Sequence, residues 1–98
     1  MAASDTVTVT IAIGNSDNKL SQYEWASYVK NIRSIVESYA DEVHFAGGPE
    51  NWAPWQNFCF VFQMPEVHVS HLKSLLSGRR ASYQQESVSV IVGQVEFV

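Results

Sequence analysis

Two tryptophans three residues apart, Trp52 and Trp55, stand in the stretch Gly47-Gly48-Pro49-Glu50-Asn51-Trp52-Ala53-Pro54-Trp55-Gln56-Asn57. Glycine and proline mark this stretch as a connection rather than an element, and Pro49 and Pro54 stiffen it. Large aromatics on a connection make good binding anchors, because they bury much area for little lost rotamer freedom. The competing use of either ring is to fold over one end of the core. The expectation is that one tryptophan does this while the other contacts a partner, with Gln56 and Asn57 beside it.

A second polar stretch, Gly14-Asn15-Ser16-Asp17-Asn18-Lys19, falls between a strand signal and a helix signal. Free amides and the positive end of a helix there suit an anion. The stretch is neither G-x-G-x-x-G nor G-x-x-x-x-G-K-[ST], so no nucleotide motif is met. As a calcium loop it fails, because Lys19 occupies the place of an oxygen ligand. A run of Asx-turns leading into a helix cap explains it better. Asn15 and Asp17 are its candidate contacts, Asp17 projecting from the end of a central strand.

The remaining chemistry-bearing residues are dispersed. His68 and His71 are three apart on a helical pattern near Glu66, but no third ligand at fixed spacing joins them, and His44 is remote in sequence. Cys59 alternates within an aromatic strand beside no base, and reads as a small apolar side chain. No serine is framed by nucleophile-elbow glycines, and no carboxylate pair stands out. No metal and no cofactor is expected.

The elements that must position these residues are legible. Residues 6–13, Thr-Val-Thr-Val-Thr-Ile-Ala-Ile, alternate strictly, with Val7, Val9, Ile11 and Ile13 on one face and Thr6, Thr8, Thr10 and Ala12 on the other. Ser21 and Glu24 form a Ser-x-x-Glu capping box, and Leu20 with Trp25 matches a hydrophobic staple. Trp25, Tyr28, Val29, Ile32, Val36 and Tyr39 recur at helical spacing, which predicts a helix over 22–40. Val43-His44-Phe45 suggests a short strand. Phe58, Phe60 and Phe62 alternate with Cys59 and Val61 over 57–63. Pro65 suits a first helical turn, so a second helix is expected over 66–77, with Gly78 as its stop. Val88, Val90 and Val92 then alternate with Ser87, Ser89 and Ile91. Gly93 breaks the phase before Val95 and Phe97, implying a bulge or a further short terminal strand.

The order β-α-β-β-α-β is that of the split βαβ, or ferredoxin-like, plait: an α+β domain with a four-stranded antiparallel sheet and two helices on one face. The chain of 98 residues is long enough for one such domain, and 46% hydrophobic and 12% aromatic residues supply a core without disulfides. Charged residues are only 16%, against about 25% in ordinary soluble domains. The net charge of −4 with no basic tail or stripe disfavours nucleic-acid binding. No apolar run approaches the ~18 residues of a membrane span. One cysteine gives no internal disulfide, and Met-Ala-Ala-Ser-Asp lacks the character of a signal peptide, so a cytoplasmic setting is expected.

Charge is missing mainly from the sheet face opposite the helices. That face is expected to show Thr6, Thr8, Thr10, Val61, Ser89 and Ile91, a surface suited to an isologous homodimer or higher homo-oligomer. A solvated Thr/Ser face is the alternative. The functional expectation is a small non-catalytic binding protein of the inhibitor, immunity or accessory type, such as a phage or bacterial defence locus encodes. Its Trp-bearing loop would contact a protein or small-molecule partner. The alternative is a cofactor-independent monooxygenase or isomerase, with Asn15, Trp25, Trp55 and His44 lining a pocket between helices and sheet, an idea resting on fold analogy. A metal-dependent nuclease using Asp17 is a weaker third reading, opposed by the acidic balance.

Overall fold

A computed structural model describes residues 6–15, 20–48 and 56–94. The order is β1 (Thr6–Gly14), α1 (Gln22–Tyr39), β2 (Glu42–Gly47), β3 (Asn57–Pro65), a 3-10 turn (Glu66–His68), α2 (Val69–Ser82) and β4 (Ser89–Gly93). The sheet is four-stranded and antiparallel, in the order β2-β3-β1-β4. β3 is thus inserted between β1 and β2, as a split βαβ connectivity requires.

Period-two alternation builds the sheet. Val7, Val9, Ile11 and Ile13 of β1 lie beside Phe58, Phe60, Phe62 and Met64 of β3, and all eight are buried. Against this double row pack Trp25, Tyr28, Val29, Ile32 and Val36 of α1 and Val69, Leu72 and Leu76 of α2, in one continuous core. At ~1.5–3 kcal/mol per large apolar side chain buried, this layer supplies the main drive to fold.

α1 starts as its sequence dictates. The Ser21 hydroxyl accepts from the Glu24 amide at 3.1 Å, and the Glu24 carboxylate accepts from the Ser21 amide at 2.9 Å. Leu20 and Trp25, on either side of the cap, both enter the core.

Pro65 closes β3 and caps the 3-10 turn that leads straight into α2, so the helical run begins at Glu66 as expected, its first three residues in 3-10 form. Two boundaries differ from expectation. α2 does not stop at Gly78; it continues to Ser82 through an exposed glycine. Its end is a Schellman motif, in which Gln84 adopts the left-handed conformation at φ 58°, the Gln84 amide donates to Ala81 and the Gln85 amide to Arg80. β4 begins at Ser89, two residues after the start of its alternating pattern, and Gly93 pairs in register with Thr8 without a bulge. The expected terminal strand with Val95 and Phe97 lies outside the described residues.

β2 is longer than Val43–Phe45 and carries the bulge itself. Val43 pairs with Phe62 and Phe45 with Val61, leaving His44 as the extra residue. Among the described residues no helix is long and apolar enough to cross a membrane.

Candidate functional site

β1 ends and β3 begins at the same end of the sheet, where Gly14 pairs with Asn57. The connections that carry Asp17 and the Trp52/Trp55 pair leave from these adjacent strand ends. Asp17, Trp52 and Trp55 themselves lie outside the described residues; the bases of their connections do not.

Those bases are tied by neutral amides. Asn15 and Gln56, 3% and 2% exposed, form the centre. The Asn15 Nδ2 group donates to the Leu20 carbonyl at 3.0 Å and to Gln56 Oε1 at 2.8 Å, while Asn15 Oδ1 accepts from the Leu20 amide at 2.9 Å. Gln56 Nε2 donates onward to Gln22 Oε1 at 2.7 Å, and the Asn15 amide donates to the Gln56 carbonyl at 2.8 Å. Buried polar groups must be paired, and here each side chain pairs with chain brought in from a different element. Asn15 and Gln56 therefore hold the loop bases and turn their hydrogen-bonding capacity inward, while Asn57 is exposed beside them. Gly48 completes the corner. At φ +142° it lies where an added Cβ would come within 2.2 Å of the Asn57 carbonyl oxygen, so only glycine fits.

The predicted sheet-face residues are brought together. Thr6, Thr8, Thr10, Val61, Ser89 and Ile91 share the face opposite the helices, which no described element covers. The pairing places Phe45, Val61, Thr10 and Ile91 in one row across all four strands. Phe45 and Ile91, at its two ends, are 55% and 62% exposed. The Phe45 ring lies over Gly47, where an added Cβ would sit 2.7 Å from its Cζ. Gly47, Cys59, Ala12 and Ser89 form the next row, and Gln63 and Thr8 lie on the other side. Glu42, opposite Gln63 at one corner, is the charged residue of this register, 3.7 Å from His44 Nδ1. Phe45 was not readable as a member of this face, because the bulge at His44 shifts the phase of β2 between Val43 and Phe45.

The oxygenase-like alternative drew on Asn15, Trp25, Trp55 and His44. Trp25 is sealed in the core, and His44 sits at the bulge, level with Val61 and Phe62 and several residues along the sheet from Asn15. Trp55 lies outside the described residues. His71 Nδ1 is hydrogen-bonded to the Tyr39 hydroxyl, and the His68 and His71 rings both lie against the Tyr39 ring. Among the described residues no three His, Cys, Asp or Glu side chains gather at metal-binding distance.

A second polar cluster joins the helices. The Tyr83 hydroxyl is 2.7 Å from Ser27 Oγ and accepts from Asn31 Nδ2 at 2.9 Å. The Tyr28 ring packs on Tyr83 with centroids 4.8 Å apart, but the buried Tyr28 hydroxyl has no hydrogen-bond partner among the described residues. Burial pushes its pKa up to about 12, only partly opposed by the Arg80 charge.

Sequence reading also missed a groove of about 420 Å³ between α2 and β4, lined by Lys73, Leu76, Ser77 and Arg80 from the helix. The spacing of those four residues, one face of a helix, was its only sequence signal. No protein-family model and no curated protein sequence matches this chain.

Proposed function

We propose that this chain is a small non-catalytic binding protein of the cytoplasm that assembles as a homo-oligomer through its open sheet face and presents the Trp52/Trp55 connection to a protein or small-molecule partner. The uncovered row Phe45–Val61–Thr10–Ile91 carries this reading. A face with two large apolar side chains exposed at its ends and no charge on β1, β3 or β4 is costly to leave in water and inexpensive to bury against itself. Self-complementarity follows from small neutral residues, which place no like charges opposite one another across a two-fold axis. The neutral anchor at Asn15 and Gln56 supports the second half of the reading. It fixes the bases of two connections side by side, as a preorganised binding loop requires.

Sedimentation velocity across a concentration series tests the assembly. The wild type is expected to sediment as a dimer or larger species, and Thr10→Lys to sediment as a folded monomer. A wild type that stays monomeric to high concentration would overturn it. For the loop, the Trp52→Ala/Trp55→Ala double variant should lose partner capture and keep its assembly and melting curve. Loss of folding instead would make the tryptophans structural.

A further inference from the structure

The two edges of the sheet are built differently. β2 is irregular, with its bulge at His44, and bears the Glu42–His44 pair. Bulges and charge are the devices that keep an edge from accepting another strand. β4 has neither. Its Val90-Ile91-Val92 run is β-branched and uncharged, and its register with β1 is unbroken from Ser89 to Gly93. Among the described residues no strand pairs with its far edge.

Beside that edge, on the helix side, lies the groove between β4 and α2. Leu76, Val88 and Val90 give it an apolar lining, and Lys73, Ser77 and Arg80 rise along the α2 wall. Arg80 is already held in place: Nη1 donates to the Gln85 carbonyl at 2.9 Å and to the Glu86 carbonyl at 3.4 Å, and Nη2 to Ser77 Oγ at 3.4 Å. A guanidinium fixed by its own chain loses little freedom when a ligand arrives, and it has five donors to share. α2 carries Lys73, Arg79 and Arg80 and no acid, which is half of the 6 basic residues in an acidic chain. One acid, Glu86, stands among the groove residues, against two cations along the wall.

We propose that the outer edge of β4, unpaired among the described residues, accepts an extended acidic segment of a partner protein as a fifth strand, its carboxylates on the Lys73 and Arg80 side and its alternate β-branched side chains beside Ile91. Strand addition takes its affinity from main-chain bonds and its specificity from alternate side chains. One set of side chains meets the cationic groove; the other meets the neutral open face. Carboxylates two residues apart stand about 7 Å from each other in a strand. Lys73 and Arg80 are about 10 Å apart along the helix axis, a gap their long side chains close. A second copy of this chain is a poorer occupant. Edge-to-edge pairing of two β4 strands would set one Lys73/Arg80 wall alongside another, and β4 offers no acid to answer it.

The test is an amide chemical-shift titration of the labelled protein with a blocked seven-residue peptide alternating valine and glutamate, and with its valine/lysine counterpart. The expected result is saturable shifts at Ser89–Gly93, Lys73 and Leu76 with the acidic peptide, weakened by added salt, and none with the basic one. Lys73 is exposed, so Lys73→Glu keeps the fold and should weaken binding at least tenfold, with Lys73→Gln intermediate. Shifts confined to β2, an equal response to both peptides, or no response at millimolar peptide would overturn the proposal. So would β4 amides found already protected in a dimer that Lys73→Glu leaves intact. Neither result bears on association through the open sheet face, which Thr10→Lys reports separately.

Discussion

Tyr28 offers a direct test of how the helix layer is packed. Its ring is fully buried against Trp25 and Tyr83, yet its hydroxyl meets no partner among the described residues. A hydroxyl taken from water without a replacement bond costs about 1–3 kcal/mol. Tyr28→Phe removes that cost and leaves a void the size of one oxygen, so the variant should gain about 1 kcal/mol at neutral pH. In a domain of this size that is a rise of roughly 4–8 °C in Tm. The pH dependence sharpens the expectation. The phenol pKa is pushed from 10.0 to about 12 by burial, so the folded state holds this proton more tightly than the unfolded state. The corresponding stability is fully present below pH 10 and is lost as pH rises through 12. Two pKa units correspond to roughly 3 kcal/mol. Urea unfolding of both proteins from pH 7 to 12 reads this out, and titration of the other tyrosines and lysines cancels in the difference. The lead of Y28F should be constant to about pH 10 and widen above it, with m unchanged. A variant less stable than wild type by about 1 kcal/mol at pH 7 would refute the reasoning, because it means the hydroxyl is bonded, and a lead that does not widen would refute it too, because it means the folded state does not raise the phenol pKa.

Three further substitutions probe the element ends and the anchor. Gly78→Ala should stabilise by about 0.8–1.0 kcal/mol in thermal unfolding, since an added Cβ meets nothing within 4 Å and the helix runs through this position; destabilisation would place the helix stop at Gly78 after all. Gln84→Gly should also stabilise, by about 1 kcal/mol, because the left-handed C-terminal position at φ 58° strains a side chain that glycine lacks. Asn15→Ala should cost about 2–4 kcal/mol in chemical denaturation, as it leaves the Leu20 amide, the Leu20 carbonyl and Gln56 Oε1 without the partner each now has. Hydrogen exchange should then report faster opening at Leu20 and Gln56 than in the middle of β1.

What could be read in advance was whatever local chemistry decides. The Thr/Val alternation of β1, the Phe alternation of β3 and the Ser21–Glu24 box each bring both signals, period and punctuation, into one short window. Hence the strands, α1 and the α+β topology follow from sequence. The end of α2 was misplaced because its punctuation misleads: Gly78 looks like a stop, while the helix runs on through it to Ser82 and the next residue, Tyr83, packs on Tyr28 of α1. The bulge at His44 leaves no mark in composition, so the membership of Phe45 in the open face was hidden. Asn15 and Gln56 were recognisable as polar residues at loop bases. That they bond each other across 41 positions is tertiary information.

The Asn15–Gln56–Gln22 chain is built of amides alone, so nothing in it titrates and salt has no charge there to screen. The footing of the two connections rooted on it thus carries no charge of its own for pH or salt to act on. For a lineage or a laboratory diversifying this protein, that end of the sheet is a mounting plate.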